Sequence, residues 1–368
     1  FQQIRPTEKS VLTVGIVIQS ITIGGGEIFP ITLANYLHTT CGFIRVVLFV
    51  ASNSVDPKVN KRIEGGIPII YLSDYSKTDY DSLFRRIGVD LLNTHSSHCE
   101  YVLLRSLHGR IPWVSSLHGG YDSADYIESA HLDKMNTSIS AFTYLSDKNL
   151  AFASGTPLER KRFYKVNNAV VWSKEPDYQE RIANIVSEAD FTFAFAARGI
   201  AEKGWELIIK ALDLAKQSWA KNAYIKILMC GDSDYVKDLG KRHAGNASLE
   251  FLGAVADVMS VFSASDCVLL PTYFKGESLP LVLLEALAVR KPIIASDIGQ
   301  IDDLVCTSDS SRTIGWLIPV TTNDEMIFHL SDAMKMAFER GPNYLQRLKN
   351  AQIRSTDFSI DKVAAQYI

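Results

Sequence analysis

Short apolar runs alternate with amphipathic stretches from the start of this chain, and after a polar interval the alternation begins again. Val11–Ile18, Ile44–Val50, Ile67–Leu72, Val89–Asn93, Trp113–Leu117 and Ala141–Leu145 have the length and the Val, Ile, Leu and Phe content of buried strands. Helix-like segments such as Ile28–Leu37 and Tyr80–Ile87 lie between them. Such alternation builds a parallel sheet with helices on both faces, because each crossover between parallel strands must pass over a face of the sheet. The second series is Phe191–Ala197, Tyr224–Met229, Leu249–Leu252, Cys267–Leu270 and Pro292–Ala295, with helices expected at Trp205–Gln217 and Pro280–Val289. Residues 155–190 are polar and charged with few strand signals; the domain boundary is placed near Asn168–Val171, with a linker following to about Ala189. A length of 368 residues fits two domains of ~150. The expected architecture is α/β, with two Rossmann-like parallel-sheet domains facing a central cleft. They are residues 1–170 and 171–350, and residues 351–368 are a C-terminal helix crossing back to the first domain. Ligands of such sheets bind beyond the carboxyl ends of the strands, so chemistry is sought in the loops that follow strands.

Composition removes several alternatives. Apolar residues make up 47% and charged residues 21%, which excludes a disordered chain. A net charge of -3 gives no footprint for nucleic acid, and none is expected as a partner. No apolar run approaches the ~20 residues of a membrane-spanning helix. The five cysteines are odd in number and form no C-x-x-C pair, so neither a disulfide framework nor a structural zinc site is expected, and a reducing, cytoplasmic setting is. The basic run Arg160, Lys161, Arg162 and Lys165 leaves peripheral contact with the inner membrane face open, although such runs are more often a solvated surface. The chain starts with Phe1 rather than Met, as expected of a trimmed chain or a module cut from a longer protein.

Four groups of residues follow strands and carry chemical promise. Gly24-Gly25-Gly26-Glu27 lets backbone amides approach a ligand at the start of a helix, though the glycines lack the G-x-G-x-x-G spacing of dinucleotide binders. His118, in Ser116-Leu117-His118-Gly119, and His95, in Asn93-Thr94-His95, follow separate strands; an isolated histidine is more often satisfied by nearby backbone than reactive. Arg198 and Lys203, in Ala197-Arg198-Gly199-Ile200-Ala201-Glu202-Lys203-Gly204, stand before a helix whose dipole opposes them, and a bound diphosphate would justify both. Glu277-Ser278-Leu279-Pro280 leads into a helix with Glu285 on an otherwise apolar face, where a carboxylate needs a partner such as ribose hydroxyls or a nearby cation. A glycosidase carboxylate pair is rejected, because eight helical residues span ~12 Å against the roughly 5–9.5 Å required. The Asp232/Asp234 spacing, which some metal-dependent sugar transferases use, reads as an ordinary turn after Gly231.

In this order the motifs resemble the retaining GT-B glycosyltransferases of family 4. The likeness runs from Gly24–Glu27 through Ser116–Gly119, Arg198–Gly204, Phe251–Gly253 and Glu277…Glu285 to Lys291-Pro292 and Phe358-Ser359. It implies a sugar transferred from a nucleotide-diphosphate donor, UDP or GDP type, to a glycan or lipid-linked acceptor, in polysaccharide or glycoconjugate biosynthesis, with no cofactor and no metal. It implies catalytic roles for His118, Arg198, Lys203 and Glu277. Donor binding falls to Gly25, Gly26, Gly231, Ser278, Leu279 and Glu285, and the acceptor side to Glu27 and His95. Two other readings stay in view: a catalytically silent nucleotide-sugar or glycan-binding module of a larger protein, and a GT-B sugar epimerase. The chain departs from the family pattern at Ser278-Leu279-Pro280, where Gly-Phe-Gly is frequent, at Asn167-Asn168, where Asn-Gly is usual, and at Arg290, where glycine is common.

Overall fold

The computed structural model describes residues 11–76, 80–107, 111–119, 129–170, 177–255, 257–306 and 313–368. The chain forms two compact units: Phe1–Ala169 together with Ile360–Ile368, and Val170–Ser359. Among the described residues no helix is long and apolar enough to cross a membrane, and all five cysteines are free.

The first unit is built on a seven-stranded parallel sheet. Its strands are β1 (Leu12–Ile18), β2 (Ile44–Val50), β3 (Ile69–Tyr71), β4 (Leu91–Thr94), β5 (Trp113–Leu117), β6 (Ala141–Tyr144) and β7 (Arg162–Lys165), in the order β3-β2-β1-β4-β5-β6-β7. β1 pairs with β2 from Leu12↔Ile44 to Ile18↔Val50, and on its other side with β4 as far as Val17↔Thr94. Ile16 and Ile18 pack with Ile31, Leu33 and Leu37 of the Gly25–Thr40 helix, whereas Val17 joins Leu83, Phe84 and Trp113. A central strand covered on both faces is apolar at successive positions instead of alternating, which is why its run was so visible.

The second unit repeats the plan with β8 (Phe191–Ala196), β9 (Ile225–Cys230), β10 (Leu249–Gly253), β11 (Cys267–Leu270), β12 (Ile293–Asp297) and β13 (Gly315–Pro319), ordered β10-β9-β8-β11-β12-β13. Phe191, Phe193 and Phe195 share one face of β8. They lie in one core with Trp205, Ile208 and Leu212 of the Trp205–Gln217 helix and Leu330 and Met334 of the Asn323–Phe338 helix. In each sheet the strand order reverses once, between β1 and β4 in the first unit and between β8 and β11 in the second. At such a point the connections leave in opposite directions and open a crevice at the carboxyl ends of the strands.

Four expectations change. The polar stretch 155–190 is more structured than expected: ahead of the boundary it holds a short 3₁₀ turn at Pro157–Arg160 and the edge strand β7, and the expected linker holds a helix at Asp177–Val186; residues 171–176 lie outside the described residues. β13 closes the second sheet where no strand was expected. The first helix begins at Gly25 rather than Ile28, so the glycines are its first turn. The helix after Glu277 runs Leu281–Ala288 with Pro280 as its N-cap, so Glu277 is not helical and the helical spacing used against a carboxylate pair does not apply.

Candidate functional site

In the first unit the candidate residues collect at the reversal point. Ile28 N donates to Gly24 O at 2.8 Å, which leaves Gly25 and Gly26 as first-turn residues with no helical carbonyl ahead of their N–H groups. The glycine turn lies beside the end of β4: a Cβ on Gly26 would sit 3.9 Å from the His95 carbonyl oxygen. The Glu27 carboxylate folds back over Gly24, where a Cβ would meet its Oε2 at 2.3 Å.

His95 and His118 follow neighbouring strands and come together. Their rings stack with centroids 5.1 Å apart, and His95 Nδ1 lies 2.8 Å from His118 Nε2. On the far side His95 Nε2 is 2.7 Å from Asn93 Oδ1. Asn93 Nδ2 donates to Val114 O at 3.2 Å and to Ser116 Oγ at 3.0 Å. Thr143 Oγ1 donates to Ser116 Oγ at 2.8 Å, and the Tyr367 hydroxyl lies 3.5 Å from both Ser116 Oγ and Thr143 Oγ1. Phe29 covers the group, 6.0 Å from the His95 ring, 5.7 Å from His118 and 6.2 Å from Tyr367. Burial disfavours the charged imidazole in both cases. It pushes His95 well below the usual histidine range, with repulsion from His118 adding to it, and pushes His118 down to about 4.

In the second unit the loop after β8 and the loop after β11 meet. Lys203 and Glu277 form a buried ion pair, with 8% and 6% of their residue surfaces exposed. Thr272 Oγ1 lies 3.2 Å from Glu277 Oε1 and 3.3 Å from Glu202 O, and Tyr273 N donates to Glu202 O at 2.8 Å, tying the two loops together. The Phe274 ring carries both cations: the Arg198 guanidinium carbon is 4.9 Å and Lys203 Nζ 4.8 Å from its centre. Burial lowers the Lys203 ammonium below the usual lysine range, opposed by Glu277 and helped by Arg198. Arg198 itself is exposed, anchored through its carbonyl by Trp205 Nε1 at 2.9 Å.

Two glycines make this close approach feasible. Gly204 caps the Trp205–Gln217 helix with φ 88°, and a Cβ there would lie 2.2 Å from Pro271 O. Gly231, expected on the donor side, is tightly packed: its φ is 153°, and a Cβ would strike Ala197 O at 2.3 Å and the Trp205 ring at 2.6 Å. Ser278 and Leu279 are buried after Glu277. Glu285 is half-buried and is already engaged within the chain, as a carboxylate on an apolar helical face requires. Asp232 and Asp234 flank Lys237 Nζ at 3.3 and 3.9 Å, and Ser233 between them caps the Asp234–Arg242 helix, consistent with an ordinary turn.

Sequence reasoning missed Asn93, Phe29, Tyr367, Thr272 and Phe274. Asn93 was findable: Asn93 and His95, like Ser116 and His118, are two positions apart along a strand and so share a face. Tyr367, separated from its partners by more than two hundred residues, left no local signal.

Residues 178–353, which lie within the second unit, match the family model described as glycosyl transferases group 1. Sulfoquinovosyl transferase SQD2 of Arabidopsis thaliana is 25% identical over 162 residues, 41% of this chain and 31% of that protein. The uncharacterized glycosyltransferase MJ1607 of Methanocaldococcus jannaschii is 24% identical over 238 residues, 59% of this chain and 60% of that protein. The chain thus spans about a third and three fifths of the lengths of these two curated relatives. The crystal structure of Anabaena Alr3699/HepE in complex with UDP and glucose superposes with a TM-score of 0.77 at 19% identity, covering 97% of this chain and 98% of that one. At that identity the likeness shows the fold: two Rossmann-like parallel-sheet domains of the GT-B type.

Proposed function

We propose that this chain moves a sugar from a nucleoside-diphosphate donor to a hydroxyl of a glycan or lipid-linked acceptor. The observation that carries the reading is the Lys203–Glu277 pair, with Arg198 beside it on Phe274, at the reversal point of the second sheet. Breaking the anomeric C–O bond leaves negative charge growing on the diphosphate. Two side-chain cations held in place before the reaction stabilise that charge without reorganising, and do so most strongly where water is excluded. In this assignment Arg198 and Lys203 take the diphosphate and Glu277 orders sugar hydroxyls. Glu285 takes the ribose, and the backbone of Ser278 and Leu279 approaches sugar and phosphate. Gly25 and Gly26 offer first-turn amides, and Glu27, His95 and His118 serve the acceptor and the reacting sugar.

The acceptor oxygen forms its bond to the anomeric carbon on the face the phosphate leaves. Its proton passes to the departing phosphate oxygen, and the configuration is retained. Charge neutralisation is assigned to the two side-chain cations rather than to a metal, so chelation with EDTA leaves the rate unchanged. UDP is the first base to test, because the Anabaena structure was solved with UDP and glucose.

The experiment measures nucleoside-diphosphate release from UDP-glucose, UDP-N-acetylglucosamine and GDP-mannose, alongside thermal shifts with UDP and GDP. At least one donor turns over and its nucleotide raises Tm, since a ligand that binds only the native state must stabilise it. Replacing Lys203 alone strands the buried Glu277 carboxylate at a cost of about 3–5 kcal/mol. The variant of choice is therefore Lys203→Met with Glu277→Gln, which keeps the fold and loses about 100-fold in turnover. Absence of any shift and any turnover across the panel rejects the assignment.

A further inference from the structure

The hydrogen bonds through Asn93, His95 and His118 have a direction that can be followed from one end to the other. Val114 O is a carbonyl oxygen and can only accept, so Asn93 turns its Nδ2 toward it and its Oδ1 toward His95. Oδ1 likewise only accepts, so His95 carries its proton on Nε2. In the neutral ring His95 Nδ1 is then bare, and the 2.8 Å contact to His118 is a bond that His118 Nε2–H donates. His118 Nδ1 is left as a lone pair without a proton. That atom is buried and has no partner among the described residues. Leaving a buried acceptor unsatisfied is costly, and sites that do so keep it for something that arrives.

We propose that Asn93 and His95 are positioning residues that hold His118 in its Nε2–H form, so that Nδ1 accepts a hydrogen bond from a sugar hydroxyl. The opposite tautomer would present an N–H, which binds phosphate, carbonyl and hydroxyl oxygens alike, whereas a bare Nδ1 takes only a group that can donate, such as a hydroxyl. The identity of the ligand rests on the glycosyltransferase reading; the direction of the relay does not. Burial keeps both rings neutral near pH 7, so His118 serves as an acceptor and carries no proton between substrates.

Long-range proton–nitrogen correlation spectra of the full chain at neutral pH distinguish the tautomers directly. Both His95 and His118 show a bare Nδ1 and a protonated Nε2. In His95→Leu the His118 ring loses its fixed partner and populates both tautomers. In His95→Gln the amide oxygen accepts from His118 while its nitrogen donates to Asn93, and the single form returns. With UDP-glucose as the probe, or whichever panel donor turns over, His95→Leu loses roughly 10- to 100-fold in turnover. The thermal shift with UDP is unchanged, and His95→Gln recovers most of the rate. A loss seen in donor hydrolysis without acceptor assigns the hydroxyl to the donor sugar, and a loss confined to transfer assigns it to the acceptor. A protonated Nδ1 on His118 in the unaltered chain overturns the proposal whatever the enzyme does. So does a His95→Leu variant with scrambled tautomers and undiminished turnover. If no donor turns over, the glycosyltransferase reading fails, and the spectrum alone decides the relay.

Discussion

Two stacked imidazoles deep in the first unit make the fold sensitive to acid in a way that exposed histidines would not. Folded, both rings resist protonation, His118 down to about 4 and His95 by burial and by its neighbour's charge. Unfolded, both take up a proton near the ordinary value of about 6.5. Between those values the unfolded chain binds more protons, so stability is full above pH ~6.5 and falls as the pH drops toward 4, by up to ~1.4 kcal/mol per pH unit for each ring. Urea midpoints at pH 7, 6 and 5 should fall in that order, and a His95→Gln variant should show a shallower slope; a flat profile would mean the rings are wetter than the structure has them. Much of this site was visible residue by residue. Arg198, Lys203, Glu277, His95 and His118 were each picked out because they follow strands. What could not be read was who holds whom. Lys203 and Glu277 are 74 positions apart and His95 and His118 are 23 apart, and their pairing comes from parallel register, which a single sequence does not print. The sequence reading gave Lys203 to a diphosphate and Glu277 to a sugar, and neither assignment anticipated that the two would pair with each other.

Elements were legible in proportion to their burial. β2, β5 and β11 have the expected ends: β11 is apolar throughout and β2 is apolar after Arg45, as expected of strands covered on both faces, and β5 is bounded by its apolar ends Trp113 and Leu117 around two buried serines. β7 escaped because it is an edge: Arg162, Tyr164 and Lys165 are exposed, Phe163 is half-buried, and charged edge strands read as loop. The helix Leu281–Ala288 shows a different kind of local information. It ends at Val289, and Arg290 then adopts φ 61°, with Lys291 N donating back to Ala286 O at 2.9 Å. This is a left-handed helix terminator, a place where a Cβ is penalised and glycine is not. The sequence reading noted arginine where glycine is common, and the backbone supplies the reason. Arg290→Gly should therefore stabilise the second unit, by about 0.5–1 kcal/mol, because relief of the strained backbone outweighs the added freedom of the unfolded chain. A rise in the urea midpoint with no change in slope would report it, and a fall would show that the arginine side chain earns its place by other contacts.

Across the whole molecule, one unit is continuous in sequence and the other is not. Val170–Ser359 fold as one body, whereas Phe1–Ala169 are completed by Ile360–Ile368. Ile360, Val363 and Ala364 belong to the core that β1 and the Gly25–Thr40 helix share, and Tyr367 packs against it and reaches toward Ser116. Deleting residues 360–368 should cost the first unit roughly 5 kcal/mol, on the scale of two or three fully buried apolar side chains. Calorimetry should then show the transition of the first unit moving down while that of Val170–Ser359 stays in place; a common shift of both would contradict the division. The connectivity also imposes an order of events at the ribosome. Val170–Ser359 are complete before Ile360 emerges, so the stretch translated later can reach its final form sooner. The N-terminal body, though translated first, keeps an unfilled seam until residues 360–368 follow it out of the exit tunnel.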